Sequence, residues 1–131
     1  TAPRPEVLAT AEEIAASLAD PASGLRVLDT RSEREYGAST VPGAIHLEWL
    51  EHLDDRGRLR PLPELAALYR THGLDPAANQ PVATFCGSGY RAAHAYVVLK
   101  MLGFEHARNY VPSWNEWGAR ADLPKERPGR P

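Results

Sequence analysis

Val82-Ala83-Thr84-Phe85-Cys86-Gly87-Ser88-Gly89-Tyr90-Arg91-Ala92 joins an apolar run of the buried-strand kind to the start of a helical pattern. The junction holds the only cysteine of the chain, followed within five residues by Gly87, Gly89 and Arg91. A thiol placed there sits at the mouth of a helix, where free backbone N–H groups and the positive dipole end favour an anion. Gly87 and Gly89 let the backbone turn so that its N–H groups point inward, and Arg91 adds a positive charge that lowers a thiol pKa. Cys86 therefore reads as a thiolate nucleophile that needs no histidine base, against the alternative of an inert core thiol.

Upstream, Thr10-Ala11-Glu12-Glu13 is a capping-box pattern and predicts a helix from about Ala11 to Leu18. Arg26-Val27-Leu28-Asp29 is a short strand, and Ser32 to Tyr36 suits one or two helical turns stopped near Gly37. Val41-Pro42-Gly43-Ala44 is a turn before the short strand Ile45-His46-Leu47. Pro63 opens a helix through Arg70, with Gly73 as its stop. Downstream, Tyr90 to Leu102 is a helix apolar on most faces and closed by Gly103, and Ala107 to Val111 is a strand. Ser113-Trp114-Asn115-Glu116 is a second capping-box pattern opening a last helix, and residues 124–131 are expected to form a loose tail.

Strands alternating with helices predict an α/β domain: a mostly parallel central sheet of about five strands with helices on both faces. Sites in such sheets form at the carboxyl ends of strands, where both Asp29 and Cys86 fall. The chain of 131 residues suits a single domain, 1–131. With 43% hydrophobic and 24% charged residues it reads as globular, and a net charge of −2 implies no nucleic-acid partner. One cysteine excludes an internal disulfide and a Cys-rich metal site, and no apolar run approaches the ~18 residues of a membrane span. The histidines show no metal-ligand spacing, so no metal or other cofactor is expected. His94, three residues after Arg91, is either near the loop or at a surface or half-buried position on its helix; His46, His52, His72 and His106 read as structural or exposed. A reducing, cytoplasmic setting is expected, and Thr1 in place of Met suggests that a tag, leader or further domain once stood upstream.

Cys86-Gly87-Ser88-Gly89-Tyr90-Arg91 resembles the active-site loop of rhodanese-type sulfurtransferases, and the likeness extends over nearly the whole chain. Leu28-Asp29-Thr30-Arg31 resembles the family's Asp-x-Arg after an early strand. Tyr36 to Leu47 resembles its first signature, and Tyr110 to Trp117 the signature near the end of two-domain thiosulfate and mercaptopyruvate sulfurtransferases. The resemblance implies a rhodanese-like three-layer fold and ping-pong sulfur transfer. In that chemistry a donor such as thiosulfate leaves a persulfide on Cys86, the N–H groups from Gly87 to Arg91 stabilise it, and cyanide or a thiol removes the sulfur. The implied partners are a small-molecule sulfur donor and a thiol or cyanide acceptor, with a protein acceptor as a further possibility. With no second cysteine, the sulfur cannot leave by forming a disulfide within these residues.

The chain departs from the pattern at particular places. Thr40 and Pro112 stand where the signatures usually carry His and Gly. Glu35 stands where two-domain enzymes place a substrate-binding Arg, and Arg34 comes one residue earlier. Arg34 is a candidate contact for an anionic substrate or else a surface residue. Asp29 and Arg31 read as a structural ion pair near the site, or as catalytic groups. Ser88 and Tyr90 either shape donor choice or are simply exposed. Trp114, Glu116 and Trp117 are either a substrate wall or a capped, packed helix. Two other functions compete: a sulfur-carrier or regulatory domain, and a cysteine phosphatase or arsenate reductase. The latter use Cys-x5-Arg, whereas the position six after Cys86 is Ala92.

Overall fold

The computed structural model describes residues 6–128. Each βα unit starts where the local chemistry directs. Thr10 caps α1 (Ala11–Leu18), its hydroxyl accepting from the Glu13 N–H while the Glu13 carboxylate accepts from the Thr10 N–H. Ile14 and Ala11 form the buried face of that helix. Strand β1 (Arg26–Asp29) leads to α2 (Glu33–Ala38), whose own capping box pairs Ser32 with Glu35. After β2 (Ile45–His46), a 3-10 turn over Trp49–His52 precedes α3 (Leu62–Thr71), which carries Pro63 in its first turn. Strand β3 (Val82–Phe85) feeds α4 (Tyr90–Leu102), followed by β4 (Ala107–Asn109) and α5 (Ser113–Trp117).

The strands form one parallel sheet in the order β2-β1-β3-β4. It has four strands among the described residues rather than about five. The would-be fifth is a single parallel bridge from Leu8 to Asn109, too short to count as a strand. The expected strands at 45–47 and 107–111 also end early: the N–H groups of Leu47 and Tyr110 make the last ladder bonds to the neighbouring strands, Leu47 to Asp29 O of β1, and the backbone then leaves the sheet. The Tyr110 N–H goes to Thr84 O, and Val111 lies in the turn that enters α5.

Side chains alternate across the sheet. Val27, Ala83 and Phe85 face a cluster with Ile14, Val41, Tyr110 and Trp117. Leu28 and Val82 face the opposite cluster, with Leu65, Tyr69, Leu99 and Phe104. Helices α1 and α5 thus cover one face and α3 and α4 the other, which makes the three layers. The chain moves outward from β1 in both directions, so the crevice between β1 and β3 is the topological switch point where such sheets bind ligands. Asp29 and Phe85 are register partners across that crevice, which places the residues after each strand side by side.

The tail expected to be loose over 124–131 is held down in its first part. Thr40 and Glu126 exchange both backbone hydrogen bonds, and the Glu126 carboxylate accepts from the Gly43 N–H at 2.8 Å. The indole of buried Trp117 donates to Pro124 O. Charge and proline content suggested looseness, but a fully buried indole needs an acceptor, and the tail supplies it. Residues 129–131 lie outside the described residues.

Candidate active site

The loop after β3 closes on its own sulfur. Gly89 adopts φ +100°, which an L side chain rarely takes, and a Cβ there would stand 2.9 Å from Val111 O. In that conformation its N–H donates to Cys86 Sγ at 2.9 Å, and α4 begins at the next residue. The N–H groups of Ala92, Ser88 and Arg91 also point at the sulfur. Burial pushes the thiol pKa up, since Cys86 is only 1% exposed, but these hydrogen bonds outweigh it and the net effect is to lower it. The carbonyls of the same loop face away. Cys86 O accepts from the Trp114 N–H and Gly87 O from the Asn115 N–H, so the first turn of α5 occupies the acceptors and leaves the donors to the sulfur.

Ser113 locks that arrangement. It is fully buried at φ +56°, accepts from the Cys86 N–H at 3.0 Å and donates to Tyr110 O at 2.8 Å. The expected Ser113–Glu116 capping box is therefore absent: Ser113 turns toward the loop, and Glu116 accepts from the Tyr110 hydroxyl. Asn109 ties the loop to β4, its amide nitrogen reaching Gly89 O and its oxygen accepting from Thr84.

Arg91 lies over the loop. Its Nη2 stands 3.2 Å from where a Cβ on Gly87 would be, and its positive charge lies near enough to the Cys86 sulfur to interact with it. The same guanidinium pairs in fork geometry with Glu35, Nη1–Oε1 at 2.7 Å and Nη2–Oε2 at 3.1 Å. Glu35 is fixed from the other side by the Ser32 hydroxyl and N–H, both donating to Oε1. Arg91 holds the Glu35 carboxyl down to about 2, the Ser32 bonds add to the effect, and burial opposes it. Glu35 was visible in the sequence as a departure from the family pattern. Its pairing with Arg91, 56 residues away, was not, although Ser32-x-x-Glu35 carried the capping-box signal that positions it.

Asp29 and Arg31 form a buried pair. Asp29 Oδ1 accepts from Arg31 N and Nε, and Oδ2 from Nη2 at 2.8 Å. Thr40 donates to Oδ2, so it partners the buried Asp29 carboxylate from inside the first signature. Arg31 also donates to Ser39 O and stacks 4.6 Å from the Trp114 ring centre. Both Asp29 oxygens and the Nε and Nη2 of Arg31 are matched within the fold, so the pair has the geometry of a brace. Trp117 is buried against Tyr110, consistent with packing, while Trp114 flanks the brace. Arg34 is exposed on α2 and makes no ion pair among the described residues, Tyr90 is 85% exposed, and Ser88 is exposed beside it. His52 is buried with its Nε2 on the Tyr69 hydroxyl, and half-buried His94 packs against it. Among the described residues no cluster of three or more His, Cys, Asp or Glu could hold a metal, and no helix is long and apolar enough to cross a membrane.

Known proteins share this framework. A thiosulfate sulfurtransferase of Pseudomonas aeruginosa is 34% identical over 113 residues, covering 80% of this chain and 41% of that protein. A thiosulfate sulfurtransferase of Corynebacterium glutamicum is 44% identical over 87 residues, 66% of this chain and 28% of the relative. The 3-mercaptopyruvate sulfurtransferase of Escherichia coli is 33% identical over 120 residues, covering 83% and 42%. The chain thus spans less than half the length of these relatives. In fold it is similar to an anaerobic ergothioneine biosynthesis enzyme from Chlorobium limicola, with a TM-score of 0.83 and 23% identity over 98% of this chain and 33% of that one. Residues 10–120 match the rhodanese-like domain as a family. With that match lying on the same strand, loop and helix that cradle the Cys86 sulfur, the chain belongs to the rhodanese-like domain family.

Proposed function

We propose that this domain is a sulfurtransferase that carries a sulfane sulfur on Cys86. The observation that carries the reading is the set of backbone N–H groups of Ser88, Gly89, Arg91 and Ala92 directed at Sγ, with the Arg91 charge lying over the same loop. Preorganised donors of this kind stabilise a thiolate in the resting enzyme and an anionic terminal sulfur after transfer. The Cys86 thiolate attacks the outer sulfur of a donor such as thiosulfate. The Cys86–sulfur bond forms, the donor's sulfur–sulfur bond breaks, and sulfite leaves with the electron pair. Cyanide or a thiolate then attacks the terminal sulfur and returns Cys86 as thiolate. These residues contain no second cysteine, so the acceptor comes from outside them.

The spacing supports sulfur over phosphate. Four residues separate Cys86 from Arg91, and the cup they make closes on one sulfur atom with Gly89 N 2.9 Å away. A sulfur-carrier role uses the same persulfide, and a sulfur carrier protein of Thermus thermophilus is 32% identical over 97 residues. The two readings part at the acceptor. Incubation with thiosulfate followed by intact-mass measurement should show one added sulfur, lost in Cys86→Ser. Thiocyanate formation on addition of cyanide marks the enzyme. A stable persulfide that cyanide does not discharge marks the carrier, and no added sulfur overturns both.

A further inference from the structure

Resting on the sulfur-transfer reading, we propose that Glu35 sets the donor class: it selects sulfur donors whose sole negative charge is on the transferred sulfur, such as organic persulfides and thiosulfonates, over doubly charged thiosulfate. Arg91, whose Nη2 lies over the Cys86 loop, is the cation among the described residues whose charge acts on the Cys86 sulfur, and Glu35 neutralises it through both guanidinium nitrogens. Asp29 cancels Arg31 in the same way beneath the loop. What remains at the sulfur is the thiolate's own charge, so a donor approaching it meets net repulsion that grows with the donor's charge.

The carboxylate cannot easily swing aside. Its Oε1 is held by the Ser32 N–H and hydroxyl as well as by Arg91, and these bonds belong to the capping box that starts α2. The side chain is 39% exposed and its Arg91 partner 30%, so the pair faces the solvent from which a donor arrives. An anionic group flanking the transferable sulfur would have to approach Arg91 where Glu35 already occupies the fork. Arg34, exposed and without an ion pair among the described residues, stands one residue earlier and is the rival element, because it could draw an anionic donor in.

Glu35→Gln is the decisive variant, since glutamine at this position keeps a capping box while removing the charge. The donors are thiosulfate and methanethiosulfonate, which present the same sulfonyl-bound sulfur with two negative charges and one. With methanethiosulfonate the Cys86–sulfur bond forms as the donor's sulfur–sulfur bond breaks, and methanesulfinate leaves with the electron pair. We expect Glu35→Gln to raise kcat/KM for thiosulfate about tenfold and for methanethiosulfonate about threefold, as repulsion proportional to charge requires. For the native protein, kcat/KM with thiosulfate should rise with ionic strength, and the rise should flatten in the variant. Equal changes for both donors, no change, or a loss of thiosulfate turnover confined to Arg34→Gln would overturn the inference while leaving sulfur transfer intact. Failure of either donor to load Cys86 in the native protein would overturn the transfer reading itself, and this inference with it.

Discussion

Gly89→Ala tests the cup directly, because one residue carries both its shape and a donor to the sulfur. Gly89 sits at φ +100° and ψ −15°, well outside the small left-handed region that L residues tolerate. Strain of that kind costs roughly 1–3 kcal/mol. The new methyl would also stand 2.9 Å from Val111 O and 3.4 Å from Val111 Cα, both backbone atoms that cannot rotate away. Together these place the loss at roughly 2–4 kcal/mol, which a domain with about 5–15 kcal/mol of stability survives. The melting temperature should fall by about 10 °C. Relief of the strain requires the loop to shift, and the N–H bond to Cys86 goes with it. A hydrogen bond to a charged group contributes roughly 1.5–3 kcal/mol, so the ratio of thiolate to thiol at a given pH should fall about ten- to a hundredfold. Cys86 is the only cysteine, so the ultraviolet absorbance of the thiolate reports it alone, and calorimetry reports the stability. Gly37→Ala is the matched control: that glycine lies within α2, has ordinary φ, and an added Cβ would touch nothing. It should stabilise slightly or do nothing. Native melting temperature and native thiolate titration in Gly89→Ala would refute the claim that the left-handed position builds the cup.

Two further perturbations probe the frame around the site. Burial first, and the nearby His94 second, push the His52 pKa down to about 4. The unfolded chain therefore binds more protons between about pH 6.5 and 4, and stability falls by roughly 3 kcal/mol as pH drops through that window. In His52→Gln the slope of denaturation midpoint against pH should flatten there; an unchanged slope rules out this histidine as its source. Asp29→Ala leaves Arg31 charged and unpaired in the interior, a loss of roughly 3–5 kcal/mol by urea denaturation. Arg70→Ala breaks the exposed pair with Asp75 and should change stability by less than about 1 kcal/mol. Comparable losses for the two would show that the Asp29–Arg31 pair is not a buried brace.

Much of this was legible in the chain because the signals are local. Thr10-x-x-Glu13 caps a helix through atoms three residues apart, and the expected α1 appears at its expected bounds. Val82–Phe85, then two glycines, then an apolar helix, reads as strand, turn and helix from neighbours alone. Where the structure departs from the local signal, a distant partner has taken over. Ser113-Trp114-Asn115-Glu116 has the letters of a capping box, but the Ser113 hydroxyl is claimed by the Cys86 N–H, 27 residues away in sequence. The tail reads as loose from composition, yet a buried indole and the Thr40 backbone hold it. Ser32–Glu35 is the converse, a local capping-box signal that also places the Glu35 carboxylate for its distant partner Arg91.

By itself the sequence determined the alternation of strands and helices, the place of Cys86 at a strand end, and the distance from Cys86 to Arg91, since each depends on periodicity, turn residues or spacing along one segment. The tertiary structure alone decided how the charges around the sulfur are spent. Whether Arg91 faces a donor or a carboxylate, and whether Asp29 and Arg31 are free or matched, depends on segments that the parallel sheet brings together from far apart in the chain. Side-chain charge is written in the sequence; its cancellation is a matter of distance, and distance between remote segments exists only once the fold is made.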